Sequence, residues 1–84
     1  MSAAPREVLG RWYDQGVEQG FAYMVVWCDT YDYEDYPKYH RTRDQAQRDI
    51  DNPESMQKVV EVYDLHKSRA AQLASPRVWA LRPT

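Results

Sequence analysis

An apolar run that breaks abruptly into alternating tyrosines and carboxylates constrains the fold of this chain more than any other feature. Residues 23–28 read Tyr-Met-Val-Val-Trp-Cys, and residues 29–40 continue as Asp-Thr-Tyr-Asp-Tyr-Glu-Asp-Tyr-Pro-Lys-Tyr-His. This pattern predicts a strand, a tight acidic turn and a returning strand. Both faces of the strand Ala22–Asp29 are apolar, which predicts a central place in a sheet. Pro37 cannot donate to a ladder, so the return strand, about Tyr36–Arg41, is expected at an edge.

Residues 5–19 predict an amphipathic helix. Its apolar side chains recur at spacings of three and four residues and share one stripe, which consists of Val8, Leu9, Trp12, Tyr13 and Val17. Pro5 suits a first helical turn, and Gly20 can take the left-handed conformation that ends a helix. Phe21 is then expected to fold back onto this helix.

The middle of the chain predicts a second helix and a third strand. Thr42-Arg-Asp-Gln45 matches a capping box, and the polar helix that follows it ends near Asn52-Pro53. Because its apolar stripe holds only Ala46 and Ile50, this helix is expected to cover little of the core. Met56–Leu65 contains Val-Val-Glu-Val-Tyr, whose β-branched residues favour a strand, although periodicity alone leaves a helix open.

The C-terminal part predicts a short helix and one further segment. Ser68–Ala74 is rich in alanine and begins with a capping serine, and Pro76 stops this helix. Residues 77–81 then form either a fourth short strand or a docked tail. Together the elements predict a single α+β domain over residues 1–84, in the order α-β-β-α-β-α(-β). Its three- or four-stranded, mainly antiparallel sheet is expected to have the first and last helices packed on one face.

Length and composition exclude several classes of protein. With 84 residues, the chain has room for one modest core, and a large buried active-site cleft is not expected. Much of the apolar content is Tyr and Trp, so Trp12, Trp27 and Trp79 are expected to be mostly buried. A net charge of −2 argues against binding to a nucleic-acid backbone. A single cysteine, Cys28, excludes an internal disulfide, and no signal peptide or membrane span is recognisable, so a cytoplasmic protein is expected.

Two segments carry a resemblance to known sequences. Residues 25–37, Val-Val-Trp-Cys-Asp-Thr-Tyr-Asp-Tyr-Glu-Asp-Tyr-Pro, with Met-Gln-Lys-Val-Val-Glu-Val-Tyr-Asp-Leu at 56–65, resemble a group of small uncharacterised proteins of bacteria and their phages. The resemblance covers roughly residues 17–81. It implies the layout helix, hairpin, variable insert, strand, helix and a mobile-element setting, but no activity and no catalytic residue. Lys38 and His40 stand where more apolar residues are expected in such relatives, so the return strand is expected to be more exposed here.

The acidic turn of the hairpin is the candidate functional site. Tyrosine offers a large rigid contact area and neighbouring carboxylates add polar specificity, a mixture found in binding surfaces. The candidate binding residues are Tyr31, Asp32, Tyr33, Glu34, Asp35 and Tyr36. Strand alternation predicts Tyr31 and Tyr33 outward near the tip, with Tyr36 and Tyr39 at least partly packed. Bases could stack on these rings, but the carboxylates would repel a nucleic-acid backbone.

The same turn also permits a metal-site interpretation. Asp29, Asp32, Glu34 and Asp35 supply enough oxygens for a hard cation such as Ca²⁺ or Mg²⁺, but they lack the spacing of a calcium loop. Short carboxylates at a turn usually accept hydrogen bonds from turn amides, and this structural role is the one expected for Asp29 and Asp32.

A nucleophilic site is a further interpretation with less support. Cys28 and His40 could face each other across the hairpin, with Asp29 orienting the histidine. A lone cysteine in a strand is usually a small buried hydrophobe, and no oxyanion donor accompanies this one. His66 is expected in a solvated loop, and two histidines with one cysteine do not make a zinc site.

The function predicted from the sequence is binding, with neither catalysis nor a cofactor. The partner is expected to be a protein, engaged through the hairpin tip or an exposed strand edge. The most specific form is a phage or mobile-element accessory protein that inhibits a host defence system, which follows from the setting that the resemblance implies. A metal-assisted hydrolase using the acidic loop and a structural homodimer without a ligand are the alternatives. Neither nucleic acid nor a membrane is an expected partner.

Overall fold

The computed structural model describes residues 4–74 and 78–81 and has the predicted α+β architecture. Within these residues, three helices and three strands follow one another in the predicted order α-β-β-α-β-α. They are α1 (Arg6–Glu18), β1 (Tyr23–Asp29), β2 (Glu34–His40), α2 (Arg43–Asp51), β3 (Gln57–Asp64) and α3 (Arg69–Ala74). The strands form an antiparallel sheet in the order β2-β1-β3.

Strand β1 is central, as its two apolar faces predict. Its inner residues Met24–Cys28 are all buried. Pro37 lies opposite Val26 on the edge strand β2, where a residue without an amide is tolerated. β2 begins at Glu34, earlier than the sequence indicates, because the turn occupies only residues 30–33.

The pairing of β1 with β3 contains a β-bulge. Val26 pairs with Glu61 and Trp27 pairs with Val59, so Val60 is the extra residue. Val60 packs against a core on one face of the sheet, which we call the first core. Val59 packs against a core on the other face, which we call the second core. The strand predicted from the β-branched residues is confirmed, and the alternative of a helix is excluded.

The ends of α1 follow the local signals in the sequence. The amides of Val8 and Leu9 both donate to the Pro5 carbonyl at 3.0 Å. At the other end Gly20 has a φ of 80°, the left-handed conformation that glycine adopts at low cost. The amide of Phe21 then donates to the Gly16 carbonyl at 2.9 Å, and the Phe21 ring stacks on Tyr39. The chain therefore turns back onto α1 as predicted.

The predicted apolar stripe of α1 is wrong at its C-terminal end, at Val17. Leu9 and Tyr13 are buried in the first core, but Val17 is 49% exposed. Gly16 takes the buried position in the last turn, and a Cβ there would lie only 2.7 Å from Leu65 and 2.8 Å from Tyr39. The absence of a side chain at residue 16 lets the helix approach the sheet, and this turns the neighbouring Val17 toward solvent.

Helices cover both faces of the sheet. α1 and α3 share one face, as predicted, and α3 contributes Leu73 to that core. α2 lies on the opposite face, where its Ala46 is fully buried with Val25 and Trp27. The expectation that α2 covers little of the core is therefore wrong. The two apolar faces of β1 each need a cover, and the short side chain of Ala46 allows the helix to lie close.

The capping box of α2 is formed as the sequence indicates. Thr42 Oγ1 accepts from the Gln45 amide at 3.2 Å, which satisfies one of the free donors of the first turn. The Gln45 side chain in turn accepts from the Arg41 amide at 3.2 Å, one residue before the cap. This reciprocal pair starts the helix directly after β2.

The C-terminal segment is a docked tail. Val62 of β3 donates to the Val78 carbonyl at 2.6 Å and accepts from the Ala80 amide at 2.9 Å, an isolated parallel bridge. Leu81 is buried in the second core, whereas Trp79 is 40% exposed, so the expected burial of Trp79 is wrong. The chain bends at residues 80–81, after the bridge, so Leu81 enters the core while the indole of Trp79 stays partly outside. Residues 75–77, with Pro76 and Arg77, lie outside the described residues.

Trp27 alone of the three tryptophans is fully buried. Its ring lies in the second core beneath Lys38, whose Nζ is 5.2 Å from the ring centroid. Within the described part of the chain, the indole Nε1 has no hydrogen-bond partner. Trp12 is half-buried against the first core. The prediction for tryptophan burial is thus confirmed for Trp27 and holds in part for Trp12.

Candidate functional site

The turn between β1 and β2 is held by its own carboxylates. Asp29 Oδ1 accepts from the Tyr31 amide at 2.8 Å, and Asp32 Oδ1 accepts from the Glu34 amide at 3.1 Å. The Tyr33 amide also donates to the Asp29 carbonyl at 2.6 Å. The structural role predicted for Asp29 and Asp32 is confirmed. These bonds fix the turn backbone before any partner is present.

Tyr33 adopts an unusual backbone conformation in this turn. Its φ is 60°, in the left-handed region that residues with a Cβ seldom occupy. Met56, in the loop that leads into β3, has a similar φ of 62°. The Thr30 amide donates to the Met56 carbonyl at 2.8 Å and joins the two loops. Two segments with constrained backbones therefore meet at one end of the sheet.

This end of the sheet exposes three large apolar side chains. The exposed fractions are 77% for Tyr31, 50% for Tyr33 and 55% for Met56. Neither tyrosine ring makes a ring contact or a side-chain hydrogen bond within the described part of the chain. We call residues 29–35 and 53–58 the hairpin end. The outward orientation predicted for Tyr31 and Tyr33 is confirmed, whereas no pattern in the sequence indicates that Met56 joins them.

The other candidate residues divide between solvent and the fold. Asp32 and Glu34 are exposed. Asp35 is half-buried and accepts from the Ala4 amide at 3.1 Å, so it anchors the chain that enters α1. Tyr36 packs against the second core, and its hydroxyl accepts from Gln57 Nε2. The partial packing expected for Tyr36 and Tyr39 is confirmed.

Charge is unevenly distributed between the hairpin end and the rest of the molecule. The hairpin end holds five of the 13 carboxylates and one of the 11 basic residues, Lys58. The carboxylates are those of Asp29, Asp32, Glu34, Asp35 and Glu54. Because the whole chain has a net charge of −2, the remaining residues carry a net positive charge. The hairpin end is therefore a negative surface on a molecule that is otherwise weakly positive.

The proposed pairing of Cys28 with His40 does not form. Cys28 lies opposite Asp35, whereas His40 lies opposite Tyr23 at the other end of the two strands. Cys28 is buried, and burial raises the pKa of its thiol, an effect that the nearby Asp35 increases. A buried thiol without an adjacent base is a poor nucleophile, so this interpretation is wrong.

His40 belongs instead to a shallow groove of about 380 Å³ between β2 and α2. Its Nε2 lies 3.2 Å from Asp49 Oδ2, and Lys38 Nζ lies 3.8 Å from Asp49 Oδ1. Asn52 Nδ2 donates to the Arg48 carbonyl at 2.9 Å on the same side of the helix. The polar groups of the groove thus bond chiefly to one another.

His66 is exposed, as expected for a loop histidine, and its Nδ1 lies 3.4 Å from Asp64 Oδ1.

A polar network beneath α1 is the main feature that no pattern in the sequence indicates. Glu61 is buried on β3 and accepts from Arg6 Nη1 at 2.9 Å and from the Tyr63 hydroxyl at 2.8 Å. Burial and the adjacent Glu61 raise the pKa of the Tyr63 hydroxyl well above its usual range. Arg6 Nε also donates to the Leu73 carbonyl at 3.1 Å. The network joins α1, β3 and α3, so its role is structural.

Gln72 completes this network at the outer edge of β3. Its side chain accepts from the Asp64 amide at 3.0 Å and donates to the Asp64 carbonyl at 2.7 Å. The Tyr13 hydroxyl accepts from Gln72 Nε2 and donates to the Lys67 carbonyl at 2.7 Å. Gln72 and the bridge at Val62 therefore occupy much of the free edge of β3, which is otherwise open to pairing with another strand.

Comparisons add no relative: no protein family, curated protein or solved structure matches this chain. Among residues 4–74 and 78–81, no group of three or more His, Cys, Asp or Glu side chains is arranged to hold a metal ion. In the same ranges, no helix is long and apolar enough to cross a membrane.

Proposed function

We propose that the chain is a protein-binding module whose contact surface is the hairpin end. The observation that carries this proposal is the exposure of Tyr31, Tyr33 and Met56 together at one end of the sheet. Tyrosine and methionine are enriched at protein interfaces, where they supply large contact areas. A large apolar side chain that packs in a core is buried, and these three are not.

The rigidity of the turn supports the same proposal. Hydrogen bonds that the carboxylates of Asp29 and Asp32 accept from turn amides fix the backbone that carries the two tyrosines. A surface that is already ordered loses less conformational entropy when it binds, so more of the contact energy becomes affinity. The left-handed φ of Tyr33 indicates that this position keeps a large ring where glycine would fit with less strain.

A more specific version of the proposal concerns the setting. The resemblance to small proteins of bacteria and their phages supports a cytoplasmic accessory protein of a mobile element, and inhibition of a host defence system is the activity that this setting suggests. The single cysteine, which cannot form an internal disulfide, supports the reducing compartment. The partner would then be a bacterial defence protein.

Affinity capture tests the proposal. The purified chain is immobilised and exposed to bacterial lysate, and captured proteins are identified and remeasured as purified partners. Replacing Tyr31 and Tyr33 by Ala should weaken partner binding by about 2 kcal/mol or more for each anchor residue. Trp79→Ala is the matched control, because it also removes a large exposed ring but on the docked tail.

The two variants give distinct outcomes. Loss of the partner in the tyrosine variant and retention in Trp79→Ala, both with unchanged circular dichroism, supports the hairpin end as the contact surface. Equal affinity of the tyrosine variant and the parent chain would remove the hairpin end from the interface. Sedimentation of the chain alone shows whether a second copy of the chain is itself the partner.

A further inference from the structure

We infer that the hairpin end recognises an arginine-rich segment of its partner. This inference rests on the proposed function and adds the chemistry of what is bound. Two independent observations lead to it: the exposed tyrosines, which offer flat faces, and the segregation of carboxylates around them. A guanidinium suits such a surface better than an ammonium, because its planar face stacks on an aromatic ring while its edge pairs with a carboxylate through two parallel hydrogen bonds.

The carboxylates at the hairpin end include two that the fold does not use. The side chains of Glu34 and Glu54 have no hydrogen bond or ion pair within the described part of the chain. Asp29 and Asp32, by contrast, each commit Oδ1 to a turn amide, and Asp35 commits Oδ2 to Ala4. Glu34, at the start of β2, and Glu54, in the loop before β3, are therefore the acceptors available to a cationic partner.

The molecule already contains cation–π contacts in two other places. The Arg41 guanidinium lies 4.6 Å from the centroid of the Phe21 ring, and Lys38 Nζ lies 5.2 Å from the centroid of Trp27. Both aromatic rings thus carry a cation from the chain itself. Tyr31 and Tyr33 have no such cation in the described residues, and Lys58, in β3, is the only basic residue of the hairpin end.

Charge decides among the classes of partner that could cover these rings. Single-stranded nucleic acid stacks on tyrosines, but it would place phosphates against a surface with four more carboxylates than amines. An acidic peptide is repelled for the same reason. A basic segment is attracted over a distance of about 8–10 Å at physiological salt, which also accelerates its association.

Peptide probes test the inference directly. Four fluorescent probes of equal length are titrated with the chain: an arginine-rich, a lysine-rich and a glutamate-rich peptide with Gly-Ser spacers, and a single-stranded oligothymidylate. The arginine peptide should bind several-fold more tightly than the lysine peptide, and binding should weaken as salt is added. The glutamate peptide and the oligonucleotide should not bind. Binding of either one, or equal binding of all peptides, overturns the inference.

Matched variants locate the binding surface. Tyr31→Ala with Tyr33→Ala should weaken binding of the arginine peptide about tenfold or more, and Glu34→Gln with Glu54→Gln about three- to tenfold. Glu18→Gln with Asp44→Asn removes the same charge from α1 and α2, and it should leave the affinity within about twofold. An equal loss in this control would show that net charge, not the hairpin end, attracts the peptide, and would overturn the inference. Melting temperatures establish that each variant is folded.

The probes also separate this inference from the proposed function. One outcome is that the arginine peptide does not bind while binding of a captured protein partner still depends on Tyr31 and Tyr33. In that case the inference of an arginine-rich partner is wrong, and the hairpin end is still the binding surface. If no partner depends on the two tyrosines, the proposed function fails as well. Self-association that is lost in the tyrosine variant would identify a second copy of the chain as the occupant and would overturn the arginine-rich partner.

Discussion

The tyrosines of the first core and those of the hairpin end use the same side chain for opposite purposes. In the first core, each tyrosine hydroxyl has an acceptor. The Tyr13 hydroxyl donates to the Lys67 carbonyl at 2.7 Å, and the Tyr39 hydroxyl donates to the Trp12 carbonyl at 2.7 Å. The Tyr63 hydroxyl donates to Glu61 at 2.8 Å. At the hairpin end, Tyr31 and Tyr33 are exposed, and their hydroxyls have no such bonds in the described residues. A hydroxyl that finds a backbone or carboxylate acceptor lets the ring be buried, and a hydroxyl without one keeps the ring at the surface.

This contrast predicts where stability and binding reside. Changes to the two cores should unfold the protein, whereas changes to the hairpin end should leave it folded and alter only what it binds. Each substitution below is chosen to test one side of that division, beginning with the largest expected effect.

Replacing Trp27 by Ala should have the largest effect on stability. Trp27 is fully buried beneath α2, and its truncation should cost roughly 3–5 kcal/mol. A domain of this size is expected to have an unfolding free energy of about 5–8 kcal/mol, so the variant should be marginally folded at 37 °C. Urea denaturation measures the loss.

Two controls accompany the Trp27 variant. Trp27→Phe should cost less than the alanine variant, because it keeps most of the buried area and removes an indole donor that has no partner in the described residues. Tyr33→Ala should stay within about 0.5 kcal/mol of the parent chain. If Tyr33→Ala unfolds the protein while Trp27→Ala does not, the assignment of the two regions is reversed.

Gly16→Ala should have the next largest effect. A methyl group at residue 16 would lie within 2.9 Å of both Leu65 and Tyr39, so the packed ring and the helix must separate. Overpacking of this kind typically costs about 1–3 kcal/mol. Gly10→Ala is the control, because the nearest atom there is the flexible end of Arg69. Equal melting temperatures for the two alanine variants would contradict the close contact of α1 with Leu65 and Tyr39.

Tyr63→Phe should produce a smaller loss. The substitution removes one bond to the buried Glu61 and should cost about 1 kcal/mol at neutral pH. The pKa of Tyr63 is raised in the folded state, so its contribution to stability is complete below the ordinary tyrosine pKa of 10.0 and is lost as the pH rises above it. The parent chain should therefore lose stability in alkali, and the Phe variant should lose less. An equal loss of stability in both chains would show that ionisation of Tyr63 does not cause the loss in alkali.

Tyr33→Gly should have the smallest effect on stability and the opposite sign. Glycine adopts a φ of 60° without the penalty of about 1–2 kcal/mol that a Cβ brings, and its greater freedom in the unfolded chain offsets part of that gain. We expect a melting temperature equal to or slightly above that of the parent chain, together with weaker binding of the arginine peptide. A clear loss of stability would show that the Tyr33 ring supports the fold.

The sequence was sufficient to predict the elements whose signals are local. The buried run of β1, the cap at Thr42 and the left-handed Gly20 all lie where the residues indicated. The turn roles of Asp29 and Asp32 were also predictable, because the bonds span only two residues. Tyr31 and Tyr33 follow from the same local geometry.

The remaining features depend on contacts between distant parts of the chain. Met56 joins the hairpin end through a bond to Thr30, and no pattern in the sequence indicates that pairing. Ala46 covers Trp27 because α2 crosses the face that α1 does not occupy, and a small side chain gives no sign of this role. Gly16 is buried in place of Val17 because Tyr39 and Leu65 fill the space beside it. The periodicity of apolar residues indicates which face of a helix is apolar, but it does not indicate which distant residues pack against that face.

Hydrogen exchange of the chain with and without its captured partner tests the binding surface most directly. The turn at residues 30–33 and the loop before β3 should exchange more slowly when the partner is bound, and the groove at His40 and Asp49 should be unchanged. Protection confined to the groove or to the docked tail at residues 78–81, with the hairpin end exchanging as in the free chain, would contradict the hairpin end as the binding surface.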